Sequence, residues 1–202
     1  MMDLGGRPLL SHVLDRCKSI RGIEPWIILA VPKADQKHIA LGLWGSTASL
    51  GAGPLKNVVM FSPELPENDV LGRYVAAAKF AEADAVVRVT ADCPVLSPEA
   101  SSLVVARYLA GDVEYCSNVG KENGWPDGWD TEVVSTKVLE HMDRLVTDPF
   151  HREHVTTWLR MSPHSFRIAN VRSPVDRSAE KLSVDTEADL LRVREIIERK
   201  AA

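Results

Sequence analysis

Apolar positions along this chain switch between two spacings, and the switch recurs almost from end to end. Over 8–20, Leu9, Leu10, Val13, Leu14, Cys17 and Ile20 recur every three or four residues, which puts them on one face of a helix. A short apolar run at 26–31, stopped by Pro32, has the pattern of a buried strand. A helix interrupted by Gly42 is expected over 34–44, and the stretch 45–54, rich in Gly, Ser and Ala, is expected to be a loop. A strand at 57–61, a helix over 69–83 and a valine-rich strand at 85–90 complete the first half.

In the second half, Ser97-Pro98-Glu99 supplies the cap and first-turn proline of a helix reaching about 110. Strands are expected at 113–117, 131–134 and 166–171, with a brief one at 182–184. Helices are expected over 136–146, from Asp148-Pro149 to about 160, and over 186–199, where Thr186 and Asp189 have capping-box spacing. The polar stretch 121–130 carries Gly124, Pro126 and Gly128 and reads as a loop. Strands alternating with helices predict an α/β fold with a mostly parallel sheet covered by helices on both faces. No repeat or interdomain linker divides 1–202, which reads as one domain. The chain opens directly on a helix, with Gly5-Gly6-Arg7-Pro8 as its lead-in. The first strand and glycine-rich turn that usually hold phosphates in such a sheet are not visible.

Composition narrows the partners. A net charge of -4 argues against broad electrostatic attraction to nucleic acid or an anionic membrane. It leaves room for a small anionic substrate, which needs only a local cluster of donors. No stretch is apolar for long enough to span a bilayer, and the N-terminus lacks the regions of a signal peptide. Cys17, Cys93 and Cys116 form no Cys-x-x-Cys pair, and their odd number reads as reduced thiols in the cytoplasm.

Ligands of open α/β sheets sit beyond the carboxyl ends of the strands. Asp92 and Asp185 each follow a predicted strand, where two carboxylates can share a magnesium ion with substrate phosphates. Asp92 also suits a turn before Cys93-Pro94, and Asp185 suits a helix cap beside Thr186. The densest cluster is 125–132, where Asp127, Asp130 and Glu132 lie among Trp125 and Trp129. Carboxylates bind sugar hydroxyls and indoles cover sugar rings; a plain Pro-Asp-Gly turn with Glu132 on a solvated face explains the same residues. Gly72, early in a helix beside Arg73, is explained by close ligand approach or by tight helix–strand packing. His151 and His154 share a helical face, but lack the His-Glu-x-x-His spacing of zinc hydrolases and suit a structural or substrate-contact role.

Leu4-Gly5-Gly6-Arg7-Pro8-Leu9-Leu10, Asn68-Asp69-Val70-Leu71-Gly72-Arg73-Tyr74, Arg88-Val89-Thr90-Ala91-Asp92-Cys93-Pro94 and Ser117-Asn118-Val119 follow one another in order. Pro126-Asp127-Gly128-Trp129-Asp130-Thr131-Glu132, Arg152-Glu153-His154-Val155-Thr156 and Val184-Asp185-Thr186 continue the series. This ordered set resembles the spore-coat polysaccharide biosynthesis cytidylyltransferase family, whose relatives include the CMP-KDO and CMP-sialate synthetases. The resemblance implies a Rossmann-like domain of the nucleotide-diphospho-sugar transferase type. It implies transfer of CMP from CTP to a sugar hydroxyl with loss of pyrophosphate, and Mg²⁺ as cofactor. It places Asp92 and Asp185 on the metal, Arg73 and Thr90 near the nucleotide, and Asn118, Asp127, Asp130 and Glu132 on the sugar side. It also implies a homodimer, with 121–130 as a candidate contact. Trp125 stands where the family has tyrosine. Family members carry a strand and a loop rich in Gly, Arg, Ser and Lys just before the Leu-Gly-Gly segment, so 1–202 reads as a domain without that strand and loop. A non-catalytic sugar- or nucleotide-binding relative or assembly partner is the competing expectation. A glycosyltransferase is a third, although Thr90-Ala91-Asp92-Cys93-Pro94 lacks Asp-x-Asp spacing.

Overall fold

The computed structural model describes residues 2–24, 26–45, 55 and 57–201. It opens on a hairpin, not on a helix: β1 (Asp3–Leu4) pairs antiparallel with β2 (Arg7–Pro8). Gly5 and Gly6 both take positive φ, the requirement of the tightest hairpin turn. Two-residue strands are too short to leave a periodic signal, so only the Gly-Gly pair announced them. The hairpin buries Leu4 completely and leads into α1 (Leu9–Cys17).

β3 (Ile27–Ala30), α2 (Gln36–Trp44) and β4 (Val58–Phe61) form a βαβ unit with the two strands parallel. Apart from Gly45, the loop expected at 45–54 lies outside the described residues. α3 (Val70–Phe80), β5 (Ala85–Arg88), α4 (Pro98–Leu109) and β6 (Tyr115–Ser117) follow the predicted order. Ser97 caps α4 as expected, its Oγ accepting the Ala100 N–H at 3.2 Å.

β5, β6, β7 (Glu132–Ser135) and β8 (Ile168–Asn170) form a four-stranded sheet in the order β5-β7-β6-β8. β6 and β8 are parallel, but β7 is antiparallel to both β5 and β6. The α/β class holds, while the larger sheet is mixed where a mostly parallel one was expected. β7 is reached from β6 through a loop that folds straight back, with the Asn118 N–H donating to the Thr131 carbonyl at 3.2 Å. A parallel β7 would need a crossover connection, and the polar loop at 121–130 provides none.

Both faces of this sheet are covered, as alternation along the strands requires. Tyr115, Val134, Val86 and Ile168 pack against α3 and α5 (Thr136–Leu145). Cys116, Val133, Val87 and Ala169 pack toward α4. A third cluster joins the hairpin and α1 to Val58, Leu182, Val184 and Val193.

The helix expected from 148 to 160 is two. Asp148 caps α6 (Pro149–Glu153), Val155 turns to a φ of 54°, and α7 (Thr157–Met161) begins anew. Positive φ is strained for a β-branched residue. Here Val155 is completely buried, and the break carries the Thr156 hydroxyl inward to Glu132 at 2.5 Å. The strand expected at 182–184 does not form: the chain bends at Ser183, just after a single bridge between Asp127 and Lys181. α8 (Glu187–Ala201) closes the fold, with Thr186 and Asp189 capping reciprocally: Asp189 N–H to Thr186 Oγ1 at 3.2 Å and Thr186 N–H to Asp189 Oδ2 at 3.0 Å. No described helix is long and apolar enough to cross a membrane.

Candidate active site

Three stretches of chain converge where β5 ends and β7 begins. One leaves β5 at Arg88 and runs through Thr90 to Asp92. The second enters β7 through Asp127-Gly128-Trp129-Asp130. The third, 180–185, is laced to both. Asp127 N–H donates to the Glu180 carbonyl at 3.0 Å, Leu182 N–H to the Asp127 carbonyl at 2.6 Å, and Val184 N–H to the Asp92 carbonyl at 2.9 Å. Gly128 lets this happen. A Cβ there would lie 2.5 Å from both the Leu182 carbonyl carbon and the Ser183 nitrogen, and φ is +99°.

The Val184 bond ties the backbone at Asp92 to the residue before Asp185, so the two segments adjoin through this hydrogen bond and not as paired strands. Asp92 lies in the turn before Cys93-Pro94 that its plainer reading expects, whereas Asp185 does not take the cap role that its own expects. Helix α8 is capped by Asp189, which also accepts the Asp185 N–H at 3.2 Å. The Asp185 carboxylate is over half exposed and meets Lys181 Nζ at 2.6 Å. Asp92 is half-buried, and among the described residues its carboxylate accepts a long contact from the Cys93 thiol, 3.4 Å. It lines a cavity of about 280 Å³ with Met2, Leu9, Leu10, Ala91 and Val184.

Asp130 sits deeper. Burial pushes its carboxyl up to about 6; Asp127, Glu132 and Asp92 add repulsion, partly offset by the Gly128 N–H that it accepts at 3.3 Å. Asp127 is exposed, its Oδ2 accepting from Ser183 Oγ at 3.1 Å. Trp129 lies 6.2 Å from Trp125, centroid to centroid, and carries the Arg177 guanidinium 4.6 Å above its ring. Trp125 turns inward and donates to the Val171 carbonyl.

Asn118 and Glu132 are used up within the fold. Asn118, 1% exposed, donates to the Trp129 carbonyl at 2.8 Å and accepts the Thr131 N–H at 2.7 Å, so it holds the approach to β7 straight. Glu132 is not on the solvated face expected for a plain turn: it is 2% exposed and receives Arg88, the Tyr115 hydroxyl and the Thr156 hydroxyl. Three side chains, from β5, β6 and the bend before α7, thus meet at one carboxylate. The motifs that contain Arg88 and Thr156 were visible in sequence; their convergence was not.

Arg73 and Thr90 lie apart from each other. Arg73 is 6% exposed and lines a separate cavity of about 500 Å³ with Pro32, Glu67, Asn68, Val70 and Glu153. Its Nη1 donates to the carbonyls of Pro66 (3.0 Å) and Glu67 (2.5 Å), its Nε is unpartnered, and no carboxylate among the described residues pairs with it. Thr90 Oγ1 is 3.2 Å from Cys93 Sγ. Gly72 has a third explanation: its Cβ position, 2.6 Å from Asp69 Oδ2, is taken by the carboxylate that caps α3. Arg152 grips that same Asp69 (2.7 Å) and Asp143 (2.7 Å), which gives the Arg152-Glu153-His154 segment a structural task. His151 is tied to Thr157 Oγ1 at 2.8 Å, and no group of three or more metal-ligating side chains occurs among the described residues. Lys181 was missed, although its four-residue spacing from Asp185 was a usable signal.

The model of the family described as cytidylyltransferase matches residues 1–196. The chain belongs to the cytidylyltransferase family. An uncharacterized protein of Methanocaldococcus jannaschii is 27% identical over 192 residues, 94% of this chain and 72% of that protein. The spore coat polysaccharide biosynthesis protein SpsF of Bacillus subtilis is 25% identical over 138 residues, 66% of this chain; the match spans 55%, about half, of that relative's length. Among solved structures, a cytidylyltransferase from Leptospira borgpetersenii superimposes with a TM-score of 0.77 at 22% identity, over 99% of this chain and 87% of the other. A CMP:2-keto-3-deoxy-manno-octonic acid synthetase complexed with CTP gives 0.65 at 17% identity, over 98% and 91%. At such identities the structures speak for the fold, which is that of nucleotidyltransferases. In this member of the family, residues of the motifs at 4–10, 68–74, 88–94, 152–156 and 184–186 line two openings, one under Arg73 and the other beside Asp92.

Proposed function

We propose that this chain transfers CMP from CTP to a sugar hydroxyl with release of pyrophosphate, in surface polysaccharide synthesis. The observation that carries this reading is the Val184–Asp92 hydrogen bond, which holds the Asp92 segment against the residue before Asp185, with Asp92 half-buried and Asp185 over half exposed beside Lys181. Two half-open carboxylates suit Mg²⁺, which commonly keeps its waters and binds through one or two carboxylates plus substrate phosphates. Asp92 and Asp185 would hold the ion, which when bound neutralises phosphate charge and lowers the pKa of an attacking hydroxyl.

The reaction forms a bond from the sugar oxygen to the α-phosphorus and breaks the bond to pyrophosphate. Little covalent work falls to protein groups; positioning dominates. Arg73 offers the nucleotide a buried cation whose partners are only carbonyls, and Thr90 stands near the nucleotide. Asp127 and Asp130 accept from sugar hydroxyls. Asn118 and Glu132 belong to the sugar side as well, where their bonds keep the Asp127–Asp130 segment in place. The reading of 1–202 as one domain agrees with the shared packing of Cys17 and Val89 between two of the apolar clusters.

Pyrophosphate release measured with each of the four nucleoside triphosphates and a panel of acidic and deoxy sugars tests the proposal. CTP should be preferred; equal use of UTP or GTP overturns it. A homodimer is part of the same reading, with the exposed Lys121, Glu122 and Asp127 as candidate contacts and the indoles turned inward. Light scattering that reports a monomer at high concentration removes it. Free thiols, all held above their ordinary range by burial, suit the cytoplasm.

A further inference from the structure

We infer that Lys181 is an internal counter-cation that competes with a divalent metal for Asp185 and so sets the metal affinity of the site. This rests on the reading that Asp92 and Asp185 hold the metal.

Lys181 Nζ lies 2.6 Å from Asp185 Oδ2 and 3.3 Å from Asp189 Oδ2. Its backbone is fixed on both sides, by the bridge to Asp127 and by Arg192 Nε donating to its carbonyl at 3.0 Å. The ammonium is thereby delivered to the same place in every copy. Asp189 has little need of it. That carboxylate is satisfied by Arg192 Nη2 at 2.5 Å, by the Thr186 hydroxyl at 2.9 Å and by two backbone N–H groups. These contacts, Arg192 first, hold its pKa well below the usual carboxylate range. Among the described residues, the ion-pair partner of Asp185 is Lys181. Two acids, Asp185 and Asp189, therefore face two bases, Lys181 and Arg192, and within this group the charges offset. A metal approaching Asp185 finds that carboxylate already countered until the ammonium moves aside.

The residue type suits that movement. Lysine is a compact charge on a flexible stem, whereas arginine would hold a carboxylate in a two-pronged grip. The Lys181 side chain is 41% exposed, so its head can leave without opening the core. The bond to Asp185 raises its pKa above the ordinary lysine value, and it stays charged throughout the neutral range.

Mn²⁺ binding to the 202-residue chain, followed by electron paramagnetic resonance at low salt, tests this without any turnover. Lys181→Met should bind Mn²⁺ about three- to tenfold more tightly than the parent, as expected for removing one nearby charge at a half-exposed site. Lys181→Arg should stay within about twofold, because the cation is kept. Asp185→Asn should bind more weakly. If Asp185→Asn weakens binding but Lys181→Met leaves it unchanged or weaker, the metal reading stands and the lysine inference falls. If Asp185→Asn has no effect, or no variant binds Mn²⁺, both fall. A second measurement is independent of any variant: saturating Mg²⁺ should shift the ¹⁵N resonance of Lys181 Nζ toward that of a solvated lysine. An unmoved resonance overturns the inference.

Discussion

Asp130 and Glu132 stand two residues apart where the chain enters β7, and the fold treats them in opposite ways. Glu132 points into the core and is met by Arg88, Tyr115 and Thr156. Asp130 is also largely buried, yet it receives a single backbone N–H and faces three other carboxylates. A buried charge is tolerated when paired and hydrogen-bonded. Glu132 meets that condition and ties β5, β6, β7 and the 154–156 bend into one unit. Asp130 does not, and its carboxyl is pushed up to about 6 as a result. The difference separates a carboxylate satisfied within the fold from one left short of donors, the kind that the proposed function assigns to a ligand. A cation brought by substrate or metal would relieve the second and do nothing for the first.

Experiments can break this division, and the largest effect should come from the carboxylates that the proposed function assigns to the metal. Asp92→Asn and Asp185→Asn should each lower CMP transfer at least about a thousandfold, the scale of losing a transition-state electrostatic contact. Unfolding curves of both variants should stay close to that of the parent. A large stability loss in either would move it among the carboxylates satisfied within the fold.

Next in size is Glu132→Gln. It removes the charge that pairs Arg88 and should destabilise the fold by about 3–5 kcal/mol, read from denaturant midpoints. If stability is kept and only transfer is lost, Glu132 belongs with the substrate and the comparison is wrong.

Asp130→Asn should do the reverse. Below its ordinary value of 3.8, Asp130 is protonated in folded and unfolded chains alike and costs nothing. Between 3.8 and about 6 the unfolded chain ionises while the folded one resists, so stability falls as pH rises; above that the loss is constant. The variant should therefore be more stable by about 2 kcal/mol at pH 7.5 and unchanged at pH 3.5. Equal gains at both pH values would remove the electrostatic explanation.

The smallest effect is expected at Thr156→Val, which deletes one of three donors to Glu132 and should cost about 1–2 kcal/mol. No change there would leave the positive φ of Val155 without a purpose.

Much of the fold was legible because its signals are local. The cap at Ser97, the reciprocal Thr186–Asp189 cap and the period of α1 depend on residues within a turn or two of one another. The break at Val155 and the bonding of 182–184 to the Asp127 and Asp92 segments were not legible, because each is settled by partners far away in sequence. The site divides in the same way. Residue types and order marked Asp92, Asp127, Asp130 and Asp185, but nothing local distinguished Glu132 from them. Only the arrival of Arg88, Tyr115 and Thr156 did so, from positions 44, 17 and 24 residues away.

By itself, then, the sequence determined the α/β class, the cytidylyltransferase motifs and the set of acidic residues, since periodicity and composition survive without any fold. Tertiary structure decided which acids are consumed and which are kept. Hydrogen-bond donors are supplied by whichever elements pack nearby, and an oxygen's environment is a property of that packing. It also decided that the Asp92 segment is tied to Val184, next to Asp185, by a backbone bond and not by paired strands, because Gly128 leaves room for 182–183 to pass.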